Sequence, residues 1–135
     1  MTKFTLTLSL VAALAAAPAF ALVPLEKEAH INDSLVAGRV ADIIRNTCPS
    51  ISAKMFTVMS ELSDLKDYAK AQGYTEKQVK DFLGDQAQKD RIRGIANGYL
   101  AKAGAVAGDA ESYCKVGRDE IAKGTLAGSL IRSWK

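Results

Sequence analysis

Two cysteines, Cys48 and Cys114, stand 66 positions apart, and they constrain this chain more than any other feature. They are its only cysteines. Disulfides persist in secreted and periplasmic proteins and are rare in the cytosol. An even count behind an export signal favours a bridge, and with two cysteines only one intramolecular connection exists. Closing a loop of that length stabilises a fold by about 4 kcal/mol in the chain-entropy account. That is a large share of the roughly 5–10 kcal/mol a small domain holds in total. The competing reading is a reactive thiol at Cys48. It lacks a Cys-x-x-Cys spacing and a neighbouring basic side chain to lower the thiol pKa. The expectation is a structural disulfide, Cys48–Cys114, between an early and a late helix.

The export signal is read from residues 1–21. Lys3 and the terminal amine form a short positive region, Phe4 to Ala17 is uncharged and apolar, and Pro18 precedes Ala19-Phe20-Ala21, a small-x-small cleavage pattern. Cleavage after Ala21 leaves 114 residues, 22–135, which form a single helical domain in the periplasm. A retained anchor is the alternative, because no charge separates Phe4 from Leu25; Pro18 and Pro24 interrupt that run. No later segment has the apolar length to span a bilayer. Without Lys3 the formal charge falls from +3 to +2, too little to select a partner by charge.

Period-two alternation is absent, which points to an all-α fold. The spacing predicts a first helix capped at Asn32 or Asp33, with Leu35, Val36, Val40, Ile43 and Ile44 as its stripe, ending near Thr47 because Pro49 disfavours helix in the residue before it. A second helix starts at Ser50 or Ser52 and runs to about Gln72, burying Met55, Phe56, Met59, Leu62, Leu65, Tyr68 and Ala69. Gly73 suits a C′ position, and Thr75-Glu76-Lys77-Gln78 reads as a capping box. Val79, Phe82 and Leu83 face inward in a third region, Gly84-Asp85 is a break or kink, and Ile92, Ile95, Ala96, Tyr99, Leu100 and Ala103 continue the face. Gly104 and Gly108 bracket a loop, and Asp109 caps a helix whose inward face runs from Ala110 through Cys114 to Ile121. Gly124 ends it, and Leu126, Leu130 and Ile131 add an apolar turn or two. Of three Gly-x-x-x-Gly pairs, Gly94/Gly98 is read as close helix packing, and Gly104/Gly108 and Gly124/Gly128 as loop ends.

No residue set specifies a reaction. His30, the single histidine, has Glu26 and Asp33 at helical distance, but a closed metal site needs four ligands. No serine lies in Gly-x-Ser-x-Gly, and Asp119/Glu120 diverge on a helix and read as surface charges. Lys89-Asp90-Arg91-Ile92-Arg93 is the densest basic cluster, yet it lacks the charge and aromatics of a nucleic-acid site and reads as a solvated face. No catalytic residue, cofactor, metal or nucleic-acid partner is expected.

Cys48-Pro49-Ser50-Ile51-Ser52, Gly73-Tyr74-Thr75, Tyr99-Leu100 with Gly104-Ala105, and Gly108-Asp109 through Ser112-Tyr113-Cys114 to Gly117-Arg118-Asp119-Glu120-Ile121-Ala122 together resemble a family of small exported alphaproteobacterial proteins labelled only as a domain of unknown function. The resemblance covers about Ala29 to Arg132. It implies no catalytic residues, and it suggests an accessory subunit on the periplasmic side of respiratory complex I. Size, compartment and two cysteines are also similar to periplasmic acid-stress chaperones and immunity proteins, an architectural likeness only. The expected protein is a bundle of four or five helices stapled by Cys48–Cys114, non-enzymatic and acting through another protein.

Overall fold

In the computed structural model, which describes residues 21–135, a 3-10 turn at Leu25–Lys27 leads into six helices and two short strands. Their order is α1 (Ala29–Thr47), β1 (Ile51–Ala53), α2 (Met55–Gln72), α3 (Glu76–Gly84), α4 (Gln86–Lys102), α5 (Ala110–Lys123), α6 (Leu126–Ser129) and β2 (Ile131–Ser133). Apart from Ala21, the expected export signal lies outside the described residues.

Helix α1 runs through the middle and packs against α2, α4, α5, α6 and β1. Val40, Ala41 and Ile44 fall on one face by their three- and four-residue spacing and are buried. Withdrawing an aliphatic side chain of that size from water contributes roughly 1.5–3 kcal/mol. The helix begins four residues earlier than the Asn32 cap expected from sequence. Its cap is Glu28, whose Oε2 accepts the Ile31 N–H at 2.6 Å while Oε1 accepts the Tyr68 hydroxyl at 3.0 Å. Glutamate is not a favoured N-cap; here a hydroxyl from α2 holds it in place. Asn32 instead bridges elements: its Nδ2 donates to the Leu25 and Glu28 carbonyls, and its Oδ1 accepts from Arg91 of α4.

At the other end Cys48 caps α1, its N–H donating to the Ile44 carbonyl at 2.8 Å. It is disulfide-bonded to Cys114, in the second turn of α5, with both cysteines buried. The buried Ser50 hydroxyl lies 3.3 Å from Cys48 Sγ. A bonded sulfur carries no proton, so the hydroxyl is the donor. Pro49-Ser50 then turns the chain into β1, which pairs antiparallel with β2 in the register Ile51↔Ser133, Ser52↔Arg132, Ala53↔Ile131. The fold is therefore a helical bundle with a small ribbon added, and α2 starts at Met55 rather than at Ser50 or Ser52. Two of its backbone turns were legible in advance. Gly73 ends α2 at φ 106°, and Gly124 ends α5 at φ 65°, both left-handed. The capping box of α3 forms as read, Gln78 N–H to Thr75 Oγ1 at 3.1 Å and Thr75 N–H to Gln78 Oε1 at 2.8 Å. Asp85 breaks the next stretch by capping α4 through the Gln88 N–H.

The tightest packing surrounds the disulfide. A Cβ on Gly117 would collide with the tips of Ile51 and Ile44, and one on Gly128 would collide with the α5 backbone, 2.7 Å from the Ile121 nitrogen. Gly128 is thus a packing glycine rather than a loop end. The opposite correction applies to Gly94 and Gly98, where a Cβ would meet nothing within 4 Å. They face open space on α4, not a neighbouring helix.

Candidate functional site

Helices α2 and α4 both lean on α1 but scarcely touch each other. Between them lies a groove of about 620 Å³, within the range of roughly 300–1,000 Å³ typical of binding clefts. Its floor is one row of α1, with His30, Ser34, Gly38 and Asp42 a turn apart. Val58, Leu62 and Leu65 line the α2 wall, and Ile92 lines the α4 wall. Phe82 and Leu83 of α3 close it toward the start of α1, and Leu126 and Leu130 close it toward the disulfide.

The groove explains where the sequence reading of α2 went astray. Val58, Leu62, Leu65 and Ala69 turn inward, whereas Met55, Phe56 and Met59, expected in the core, are exposed, Phe56 at 95%. Spacing had merged two faces into one stripe. The same holds on α4, where Ile92, Ala96 and Leu100 are buried while Ile95, Tyr99 and Ala103 are exposed.

Charge is segregated across the groove. Glu61 and Asp64 sit on the α2 wall, Lys89 and Arg93 on the α4 wall. Among the described residues Glu61, Asp64 and Lys89 join no ion pair, and Arg93 reaches Asp90 only at 4.0 Å. On the floor, Asp42 is paired within α1, accepting from Arg39 at 2.8 Å and from Arg45 at 2.7 Å. The Nε of Arg39 is buried without an acceptor among the described residues. The basic cluster read as a solvated face is thus divided. Arg91 is half-buried and bonds to Asn32 and Gln88, while Lys89 and Arg93 edge the groove.

A second polar feature lies at the junction of α4, α5 and α6. Glu120, expected at the surface, is 1% exposed. Its Oε1 accepts the Tyr99 hydroxyl at 2.7 Å and its Oε2 accepts the Thr125 hydroxyl at 2.5 Å. Thr125 in turn caps α6 by accepting the Gly128 N–H at 3.0 Å. The hydrogen bond to Glu120, with burial and the carboxylate charge adding to it, raises the Tyr99 phenol above its ordinary pKa. Its neighbour Asp119 points outward, and a hydrogen bond from Lys115 at 2.9 Å lowers its pKa. One residue of register separates a surface charge from a buried tie between three helices.

His30 does not gather Glu26 and Asp33. Its ring meets Tyr68 edge-on at 4.4 Å between centroids. Among the described residues no three His, Cys, Asp or Glu side chains are grouped to hold a metal ion, and no helix is long and apolar enough to cross a membrane. Sequence reasoning missed the groove itself. Its one available signal was Gly38, a glycine in mid-helix among good helix formers.

Fold and groove together define a disulfide-stapled helical module with an apolar cleft left open. Residues 23–132 match the model of a family described as a family of unknown function, DUF5333, and the chain belongs to that family. No curated protein and no solved structure matches it.

Proposed function

We propose that the protein is a non-enzymatic binding module of the periplasm, acting through a protein partner seated in the groove between α2 and α4. The observation that carries this is the unfilled apolar trough on α1. Apolar area removed from water contributes roughly 25 cal/mol per Å², and here the fold leaves Leu62, Leu65 and Ile92 facing one another across open space. Exposed apolar surface gathered into a concave, charge-edged site is typical of recognition surfaces. The buried disulfide fits an oxidising compartment, and the pattern of Met1 to Ala21 fits export to the periplasm. An accessory subunit on the periplasmic side of an inner-membrane respiratory complex is one form such a partnership would take.

Photo-cross-linking in the exporting cell tests the proposal. A benzoylphenylalanine at Leu126, an exposed side chain lining one end of the groove, reports on the groove without filling its floor. One at Gly94, about 200° round α4 from Ile92, reports on the solvent side. A discrete protein adduct from position 126 alone is expected, and a respiratory-complex subunit in that adduct would identify the accessory role. No adduct at 126, or the same adducts from both positions, would overturn the proposal.

A further inference from the structure

We infer that the occupant of the groove is one amphipathic helix, acidic along the flank that meets α4 and basic along the flank that meets α2. This rests on the groove being the partner site, and it specifies the partner's chemistry. Three observations support it.

The first is length. From His30 to Asp42 the floor extends about 18 Å at 1.5 Å per residue, the length of a three-turn helix. Laying an apolar helical face into such a groove is a recurrent mode of recognition.

The second is Gly38, at the middle of the floor. A glycine within a helix is less favourable than an alanine, and a Cβ there would meet no atom of the described residues within 4 Å. Its missing side chain keeps the floor low where an incoming backbone would cross.

The third is charge. Among the described residues, Glu61 and Asp64 on one wall and Lys89 on the other enter no ion pair. The groove holds opposite charges apart. An occupant with complementary flanks satisfies both walls at once. Turning a helix end for end exchanges its flanks, so the walls also set the direction in which it lies.

Other occupants leave these features unmet. An acyl chain would fill the trough but present nothing to either wall. The chain's own Phe4–Ala17 stretch is uncharged, so it would supply no complement to the charges of either wall. A second copy would bring exposed apolar side chains such as Met55, Phe56 and Met59, which carry no charge for either wall.

The probes are three 14-residue helical peptides sharing one Leu stripe, with flanks Glu/Lys, Glu/Glu or Lys/Lys. They are titrated against the oxidised mature protein by fluorescence anisotropy. The Glu/Lys peptide is expected to bind about tenfold more tightly than either uniform peptide, with the margin shrinking as salt is added. The double substitution Lys89→Glu and Arg93→Glu makes both walls acidic and should shift the preference to the Lys/Lys peptide. Gly38→Trp should abolish binding without loss of helical circular dichroism or of melting temperature; Gly38→Leu serves if the larger ring disturbs folding. Equal affinity for all three peptides, blocked by Gly38→Trp, would overturn the helix-flank inference and leave the groove standing. Binding of dodecanoate in place of any peptide, or a dimer in sedimentation that Gly38→Trp dissolves, would replace the helix by an acyl chain or a second copy. No binding by any peptide would overturn the inference, while the position-126 adduct judges the partner reading separately.

Discussion

The two sides of α1 are finished differently. Toward α5, α6 and the ribbon, Val40, Ile44 and Cys48 meet their neighbours so closely that Gly117 and Gly128 have no room for a methyl group. Toward α2 and α4, apolar side chains of the same kinds face an open groove, and Gly38 has nothing within 4 Å. Composition does not distinguish the two sides; backbone approach does. A covalent bond and two enforced glycines bring backbones together on the first side. On the second, α2 and α4 each pack on α1 and scarcely touch each other. Stability is therefore concentrated around the disulfide, and the groove side is the one with room for substitution.

Removing the tie should break this contrast most severely. Cys48→Ser or Cys114→Ser should each lower unfolding free energy by about 4 kcal/mol, measured by urea titration. The double variant should add little, because both changes remove one bond. Strongly unequal single variants would mean that one cysteine has a separate role.

Next in size is Gly128→Ala, expected to cost about 3 kcal/mol because the added methyl meets the α5 backbone. Gly117→Ala should cost less, about 1–2 kcal/mol, since the ends of Ile51 and Ile44 can shift. Equal losses would mean that α6 moves as freely as a side chain.

Tyr99→Phe leaves one oxygen of the buried Glu120 without its donor and should cost about 1–2 kcal/mol. Its pH signature follows from the raised phenol pKa. The neutral, donating form is favoured in the folded state, so this stabilisation is complete below the free phenol value of about 10 and is lost as pH rises through the higher folded value. Alkaline melting curves of the wild-type protein should therefore decline by a component that Tyr99→Phe lacks. Identical slopes would place the Tyr99–Glu120 bond outside the folding equilibrium.

The smallest effect has the opposite sign. Gly38→Ala should raise stability by about 0.5–1 kcal/mol, because alanine restricts the unfolded chain and meets open space in the folded one. A loss there would show that the groove floor is as tightly packed as the disulfide side.

Local chemistry made part of this architecture legible. Thr75 and Gln78 need only each other to form a capping box, and Gly73 and Gly124 need only their own left-handed backbone. The disulfide pairing followed from having two cysteines and no third. What escaped depended on distant partners. Glu28 caps α1 because Tyr68 steadies it, and Ile51–Ala53 is a strand because Ile131–Ser133 lies beside it. Glu120 is buried, and its neighbour Asp119 is not, because Tyr99 and Thr125 wait at one angle of α5. The apolar row of α2 was visible, but which half of it would be covered was not.

The amino-acid order by itself therefore determined the helical class, the cross-link, the helix stops and the family, since each rests on neighbouring residues or a unique pair. Tertiary structure alone decided the ribbon, the buried carboxylate and the open groove. These depend on how far apart whole helices come to rest. Hydrophobic burial has no direction of its own, so an apolar stripe says that a face wants cover and not whether this chain supplies it.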